Sequence, residues 1–213
     1  MTLERKIISS FIFLAVLLIG IGFVWEFYYT EINNKQFLES KEATLVVDYT
    51  NQMEVGLYQT LIYLNLIHES RTSRENIKDI RDLPLPGQAK SGFEKGLTAF
   101  HSSREELEKI IADKPLLLGE MYELQRRVLL YENLSKDWLD MDEDSRAQSN
   151  VLFLSSIAPY FLNNVIPKFE VIRSLAISRQ DLMTNDLDEK LRRGRIINYF
   201  ATFVILVIGI AIA

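Results

Sequence analysis

Two histidines, His68 and His101, are the residues most able to do acid–base or metal chemistry, since the chain has no cysteine. Neither belongs to an HExxH or other metal pattern, and the sequence has no Gly-rich phosphate loop and no nucleophile motif. Both fall on predicted helices, where a histidine is more often a polar-face residue than a metal ligand. We therefore expect no metal site, no cofactor and no enzyme active site within these 213 residues.

Carboxylates cluster in one stretch, which contains Asp140, Asp142, Glu143 and Asp144. Such a run offers oxygen ligands to a divalent cation, but it lacks the glycine and the distal glutamate of an EF-hand loop. A solvated helix end is the better interpretation. The net charge of −5 gives no electrostatic reason to expect nucleic acid as a partner.

Tyrosine and asparagine side chains gather on two predicted helices and are the best candidates for a small-ligand pocket between them. Six residues form this set: Tyr58, Tyr63, Asn65, Tyr160, Asn163 and Asn164. The competing and stronger interpretation is that the tyrosines form the amphipathic edge of a helical core.

Two apolar runs near the ends of the chain, uncharged from Ile7 to Trp25 and from Ile196 to Ala213, predict membrane spans over residues 7–26 and 196–213. The first matches the ~20 residues with which a helix crosses ~30 Å of hydrocarbon. It passes straight into an aromatic belt rather than a small-residue cleavage site, so we expect a retained anchor. The belt contains Trp25, Phe27, Tyr28 and Tyr29. Because the chain stops inside apolar sequence, we expect a truncated second span and a fragment of a longer protein.

Basic residues flank both spans and give opposing signals about orientation. Arg5 and Lys6 precede the first span and favour a cytoplasmic N-terminus, residues 1–6. A second cluster precedes the other span on the domain side, where its arginines are expected to snorkel to lipid phosphates. It consists of Lys190, Arg192, Arg193 and Arg195. Long domains translocate largely regardless of charge, so we expect residues 27–195 outside the cytoplasm of a bacterial inner membrane.

Between the spans, apolar residues recur alternately three and four apart, which is typical of amphipathic helices. Four predicted faces carry this pattern. They are Val46, Tyr49, Met53, Leu57, Leu61, Leu64 and Ile67; Phe93, Leu97, Phe100, Leu107 and Ile111; Leu117, Met121, Leu124, Val128, Tyr131 and Trp138, interrupted by Ser135; and Val165, Phe169, Ile172, Leu175, Leu182, Leu187 and Leu191.

Proline and polar residues predict the breaks between these helices. We expect a linker from Arg71 to Lys90, a helix N-cap at Asp113, and an irregular region containing Ser155, Ser156 and Pro159. Four helices with one apolar face each predict an all-α fold, in which two transmembrane helices flank an antiparallel up-down-up-down four-helix bundle.

Each predicted span carries small residues on one side. Gly209 and Ala213 are four residues apart in the second span, and Gly20 and Gly22 lie in the first. Small residues at this spacing let helices approach closely. The pattern favours a homodimer.

The layout resembles the N-terminal sensory module of bacterial transmembrane receptors, namely methyl-accepting chemoreceptors and sensor histidine kinases with a four-helix-bundle domain. The resemblance covers the whole chain: a short basic N-terminus with Arg5 and Lys6, a first span, four helices and a second span. Nitrate-sensing kinases carry an arginine in the first helix of that domain; the corresponding stretch here, residues 51–66, reads NQMEVGLYQTLIYLNL and has none. The Arg-Gly-Tyr signature of another helical sensor family is also absent.

The resemblance implies that the chain detects an extracytoplasmic stimulus by binding a small molecule or a protein. It also implies that a helix displacement reaches an output domain after Ala213, such as a histidine kinase or a chemotaxis hairpin. The alternative from the residues alone is a two-span membrane tether or assembly protein with a helical protein-binding domain.

Overall fold

The structure, a computed structural model, describes residues 3–73, 86–141 and 146–212. Every secondary-structure element in those ranges is helical, which confirms the all-α prediction. The side chains of residues 3–7 lie outside the described part, and with them those of Arg5 and Lys6. The same holds for Asp142, Glu143 and Asp144 of the acidic run, and for most of the predicted linker.

Four helical stretches follow one another along the chain. They are α1 (Leu3–Ser73), α2 (Pro86–Ile111), α3 (Pro115–Leu139), and a fourth stretch made of α4 (Arg146–Leu152), the π-helical segment π1 (Phe153–Ile157), α5 (Ala158–Tyr160), the π-helical segment π2 (Phe161–Val165) and α6 (Ile166–Ile212).

The fourth stretch corrects the prediction of an irregular region around Ser155, Ser156 and Pro159, because these residues are helical. Proline lacks an N–H, and in an α-helix its ring clashes with the carbonyl four residues earlier. For Pro159 and Pro167 that carbonyl lies in the middle of π1 and of π2. The wider i to i−5 turn gives each ring room, so the helix continues through both prolines.

The spacing of apolar residues gives a second reason for these π-helical turns. Five buried residues of this stretch lie four apart throughout: Phe153, Ile157, Phe161, Val165 and Phe169. In an α-helix such a series drifts by about 40° at each step, because each residue turns 100°. The π-helical turns absorb the drift and keep the series on the core.

Two helix starts also differ from the predictions. Pro86 opens α2 inside the expected linker, since proline at the first helical position loses no hydrogen bond. At the start of α3 the N-cap position is Lys114 and not Asp113, and no side chain caps the helix there. The predicted end of α3 at the acidic run is confirmed, with Asp140 at the C-cap.

Contacts divide the chain into a central unit, Glu42–Ser178, and a terminal unit formed by Met1–Lys41 and Arg179–Ala213. All four helical stretches contribute to a single apolar core in the central unit. The predicted faces of α1, α2 and α3 are buried or half-buried in it, as are Val165, Phe169, Ile172 and Leu175 of the fourth face.

The terminal unit has a small core of its own, formed by Ile32, Leu187 and Leu191 with Tyr28 against it. Leu182 departs from the prediction because 72% of it is exposed. Both helices that pass through this unit are long and apolar enough to cross a membrane. Gly209 faces Leu14 of the other apolar segment, at 3.1 Å from an added Cβ, so it is already covered within the chain. The predicted homodimer stays a prediction.

Helices α1 and α2 approach unusually closely at three glycines. A Cβ on Gly96 would lie 2.6 Å from the Gly56 carbonyl oxygen and 2.7 Å from Thr60 Cγ2. One turn along α2, a Cβ on Gly92 would lie 2.4 Å from the ring of Tyr63. At Gly56 and Gly96 only glycine permits this packing, since a Cβ would meet the backbone of the other helix. At Gly92 a Cβ would instead displace the Tyr63 ring.

Candidate functional site

An aromatic cluster joins α1, α3 and the fourth stretch of the central unit. It consists of His68, Trp138 and Phe153. The His68 ring stacks on Phe153 at 4.6 Å between centroids, and Phe153 lies 5.1 Å from the Trp138 ring. Trp138 is fully buried and its indole N–H donates to the Ser149 carbonyl at 2.9 Å. The indole therefore fixes the start of the fourth stretch against the end of α3.

Arg71 lies one turn beyond His68 on α1 and holds the same cluster together. Its guanidinium donates to the Trp138 and Leu139 carbonyls at 3.1 and 3.0 Å, and to Ser149 Oγ at 3.2 Å. It also lies over the Trp138 ring, 4.6 Å from the centroid. A cation at the C-terminal carbonyls of a helix is favoured by the helix dipole and by the hydrogen bonds.

His68 is the buried titratable group of this cluster. Its Nδ1 is buried and has no hydrogen-bond partner among the described residues. Burial lowers the pKa of His68; the Glu69 carboxylate opposes this and the Arg71 guanidinium adds to it. The structure thus favours a neutral imidazole. His68 is more buried than the polar face or rim predicted for it. The expectation that it is not a metal ligand stays a prediction.

The six predicted pocket residues are distributed over three interfaces. Tyr58 packs on Phe161 of π2, with ring centroids 5.5 Å apart and 38% of the tyrosine exposed. Tyr63 lies against Gly92 of α2. Asn65 is exposed and donates to Glu69 on its own helix at 3.4 Å. The first three members therefore do not converge on one point.

The other three residues lie along α5 and π2. Asn163 is exposed and Tyr160 is half-buried, and burial raises the pKa of Tyr160. Asn164 takes part through its backbone carbonyl, which accepts a hydrogen bond from Arg127 Nη1 at 2.8 Å. These contacts do not test whether a ligand binds, so the pocket stays a prediction.

Arg127 belongs to a charged face of α3 that contacts the fourth stretch. Its Nε also donates to Glu123 at 2.9 Å, and Arg126 makes two further hydrogen bonds to the same carboxylate. Hydrogen bonds from Arg126 and Arg127 lower the pKa of Glu123 to about 2. Glu123 is therefore ionised at all ordinary pH values and holds Arg127 in place beside π2.

Ion pairs between helices tie the central unit at three further places. Arg173 of α6 contacts Glu54 of α1 and donates to Asn51 at 2.9 Å; only 15% of the Arg173 side chain and 17% of that of Glu54 are exposed. Lys168 of α6 pairs with Glu120 of α3 at 2.6 Å. Lys114, between α2 and α3, pairs with Glu42 of α1 at 2.6 Å and is 5% exposed.

The predicted interface residues of the terminal unit contact one another where they are described. Trp25 packs on Tyr28 and Tyr29, with centroids 6.0 and 6.4 Å apart. Arg193 pairs with Glu189 at 2.5 Å, while Arg192 and Arg195 are exposed.

No group of three or more potential metal ligands occurs among the residues that the structure describes. Of the acidic run only Asp140 is described, and it lies 3.6 Å from Lys90 Nζ. His101 lies 3.6 Å from Glu132, at a partly exposed position.

Comparison with protein-family models, curated proteins and solved structures finds no match.

Sequence reasoning missed three features of the central unit. The first is the glycine crossing, the close approach of α1 and α2 at their glycines, which the spacing of four between Gly92 and Gly96 could have indicated. The second is the pair of π-helical segments, which two prolines eight residues apart could have indicated. The third is the position of Arg71, which no local pattern indicated, because its carbonyl partners on α3 are far away in sequence.

Proposed function

We propose that this chain is the sensory input module of a bacterial transmembrane receptor, set in the inner membrane with its central unit on the extracytoplasmic side. The central unit would be an antiparallel up-down-up-down four-helix bundle, and the apolar segments of α1 and α6 would be the two spans. A stimulus at the central unit would shift these helices relative to each other and so reach an output domain.

One observation carries the proposal: two helices each contain both core residues of the central unit and an apolar segment of membrane-spanning length, without interruption. On α1 these are residues such as Met53 and Leu64, and on α6 Phe169 and Ile172. A rigid helix moves as one body, so a change of packing in the core displaces its other end. A tether would need only one such helix.

Polar contacts between α1 and α6 give the central unit a defined packing that a stimulus can change. The pair of Arg173 with Glu54 is largely shielded from water, so its geometry matters more than that of a surface ion pair. A ligand shifts the equilibrium between two packings only by its differential affinity for them. The π-helical segments place a second adjustable element on the same helical stretch.

A crosslinking experiment tests the coupling without a known ligand, by loosening the packing through mutation. Leu14 and Gly209 face each other in the terminal unit, and the natural chain has no cysteine, so Leu14→Cys with Gly209→Cys reports on the two apolar segments. We expect Arg173→Gln to change the rate of disulfide formation in native membranes by about fivefold, the lower end of usual allosteric couplings.

The matched control is Arg126→Gln. Arg126 pairs with Glu123 inside α3 and is 78% exposed, so its loss leaves the contacts between helices intact and the crosslinking rate unchanged. Equal rates in both variants would favour the tether or assembly protein over the receptor.

A further inference from the structure

A cavity of 650 Å³ lies in the terminal unit between the apolar segments of α1 and α6. Its walls are almost entirely apolar. The lining residues are Val16, Leu17, Gly20, Ile21, Val24, Trp25 and Tyr28 on α1, and Gly194, Ile197, Asn198 and Ala201 on α6. The volume falls within the ~300–1,000 Å³ of small-molecule sites. We call it the inter-segment groove.

The dimensions of the groove decide what fits it. The lining from Val16 to Tyr28 extends about 18 Å at 1.5 Å per residue, which leaves a mean width of about 7 Å. A helix with its side chains is about 10–12 Å across, so another helix would lie against the open side of the groove without filling it. A single extended hydrocarbon chain matches both the length and the width.

Glycine opens the groove on α1, and aromatic packing closes one end of it. A Cβ added at Gly20 meets nothing within 4 Å, so the space beside it is empty. At the other end the Gly194 backbone lies under Trp25 and Tyr28, where a Cβ would come within 2.7 Å of the Trp25 ring. Trp and Tyr favour the level of lipid headgroups, so the closed end is the interfacial one.

A cation lies at that interfacial end. Arg195 follows Gly194 directly, is exposed, and makes no ion pair within the described residues. Its neighbour Arg193 is held by Glu189. Arg195 does not line the groove; it lies about 100° around the helix from Gly194, at the level of the interfacial end. An exposed guanidinium at that level is complementary to a lipid phosphate, which accepts its hydrogen bonds in pairs.

We propose that the inter-segment groove binds one acyl chain of an anionic phospholipid, whose phosphate lies at Arg195. The inference rests on the membrane insertion contained in the proposed function, but not on signalling. Inside a bilayer the groove has no water to fill it, and an apolar wall gains dispersion contacts only if hydrocarbon occupies it.

Mass spectrometry of the intact full chain, released from mild detergent in the presence of dioleoyl phosphatidylglycerol, tests the site. We expect the natural chain to retain one lipid. Gly20→Leu places a side chain in the groove and is expected to weaken retention about tenfold, which corresponds to ~1.4 kcal/mol. Gly22→Leu is the matched control, since Gly22 also has open space around it but does not line the groove, and it retains the lipid.

Arg195→Gln tests the preference for an anionic headgroup separately. Both lipids carry a phosphate, but the choline cation of phosphatidylcholine opposes its contact with a guanidinium. Loss of Arg195 is therefore expected to remove the preference for phosphatidylglycerol over phosphatidylcholine while one lipid is still retained. Arg192→Gln, about 200° around the helix from Gly194, preserves the preference.

Three outcomes overturn the inference: equal retention in the Gly20 and Gly22 variants, no retention in the natural chain, or a lipid-free dimer whose formation Gly20→Leu abolishes. Alkaline extraction of the same membranes distinguishes the two proposals. A chain that resists extraction but retains no lipid refutes the groove alone, whereas a chain that is extracted refutes membrane insertion. Lipid retention together with unchanged crosslinking in Arg173→Gln refutes the receptor and leaves the groove.

Discussion

The helices of the central unit carry one apolar face each, whereas the terminal unit contains two continuous apolar segments, and their apolar side chains are covered to very different extents. In the central unit the large side chains, such as Phe100, Met121 and Trp138, are fully buried against one another. In the terminal unit most are exposed, including Phe23 at 77% and Phe203 at 62%. Its buried core contains only Ile32, Leu187 and Leu191 among the residues described.

The difference shows where each unit obtains its stability. Burial of apolar surface contributes ~25 cal/mol per Å² in water, and the central unit realises it within its own core. The terminal unit leaves that surface uncovered, which in a soluble protein would be an aggregation hazard. In a bilayer the same surface is in its preferred solvent, so the apolar segments of the terminal unit fit lipid and the central unit fits water.

The largest expected difference between the two units is in their response to the same charge placed on an exposed apolar residue. Phe203→Asp in the second predicted span is expected to cost ~3 kcal/mol of insertion free energy, because the carboxylate would sit in hydrocarbon. Leu129→Asp on α3, at a site 55% exposed, is expected to be nearly neutral in water. The fraction of chain that resists alkaline extraction measures the effect. Equal loss in both variants would contradict the assignment of the two units.

A second pair of substitutions tests the close packing of the central unit. Gly96→Ala adds a Cβ only 2.6 Å from a backbone oxygen and is expected to lower the free energy of unfolding by ~2 kcal/mol. Gly119 lies at an exposed position of α3, and a Cβ added there meets nothing within 4 Å. Gly119→Ala is therefore expected to raise the free energy of unfolding by up to ~1 kcal/mol through helix propensity. Urea unfolding of the full chain in detergent, followed by circular dichroism, measures both. Shifts of the same sign would refute the glycine crossing.

A smaller effect is expected when Lys114, the buried member of an ion pair, is replaced. Lys114→Met removes the contacts of Lys114 with Glu42 and with the Ile110 carbonyl, and should lower the free energy of unfolding by ~1 kcal/mol. The partner carboxylate is 43% exposed and can be rehydrated, which limits the loss. Lys109→Met removes an exposed pair with Glu106 within α2 and should leave the free energy of unfolding nearly unchanged. The same urea series compares them, and an equal loss in both would deny the Lys114 pair any special contribution.

The smallest effect is a pH dependence confined to the central unit. The pKa of His68 is lowered by burial in the folded state, so below about pH 6.5 the unfolded chain binds the proton first. The free energy of unfolding should therefore fall as the pH is lowered from 7 through about 6.5 and below it. His68→Gln should flatten this dependence, while the partly exposed His101→Gln should preserve it. Urea midpoints between pH 7 and 5.5 check this, and identical slopes in the two variants would exclude His68 as the cause.

The sequence predicted the regular parts of the fold well, because α1, α2 and α3 alternate apolar spacings of three and four. It failed from Phe153 to Val165, where a constant spacing of four matches neither a straight α-helix nor a strand. Local propensity also gave the wrong cap at Asp113, since Lys114 is held by a residue of α1. The aromatic cluster depends on Arg71 meeting carbonyls of α3, and that kind of long-range contact leaves no local pattern.

The two π-helical segments allow one part of the fourth stretch to rotate relative to another. Each accommodates about one residue more than an α-helical turn, and one residue corresponds to about 100° of rotation. Converting π2 into α-helix would therefore swing every residue after Val165 around the axis by roughly that angle relative to the residues before it. The Pro167 ring would then meet the Asn163 carbonyl, so the conversion would also restore the clash that the wide turn relieves. A large rotation of α6 thus needs a rearrangement within π2, opposed by Pro167, rather than melting of the whole helix.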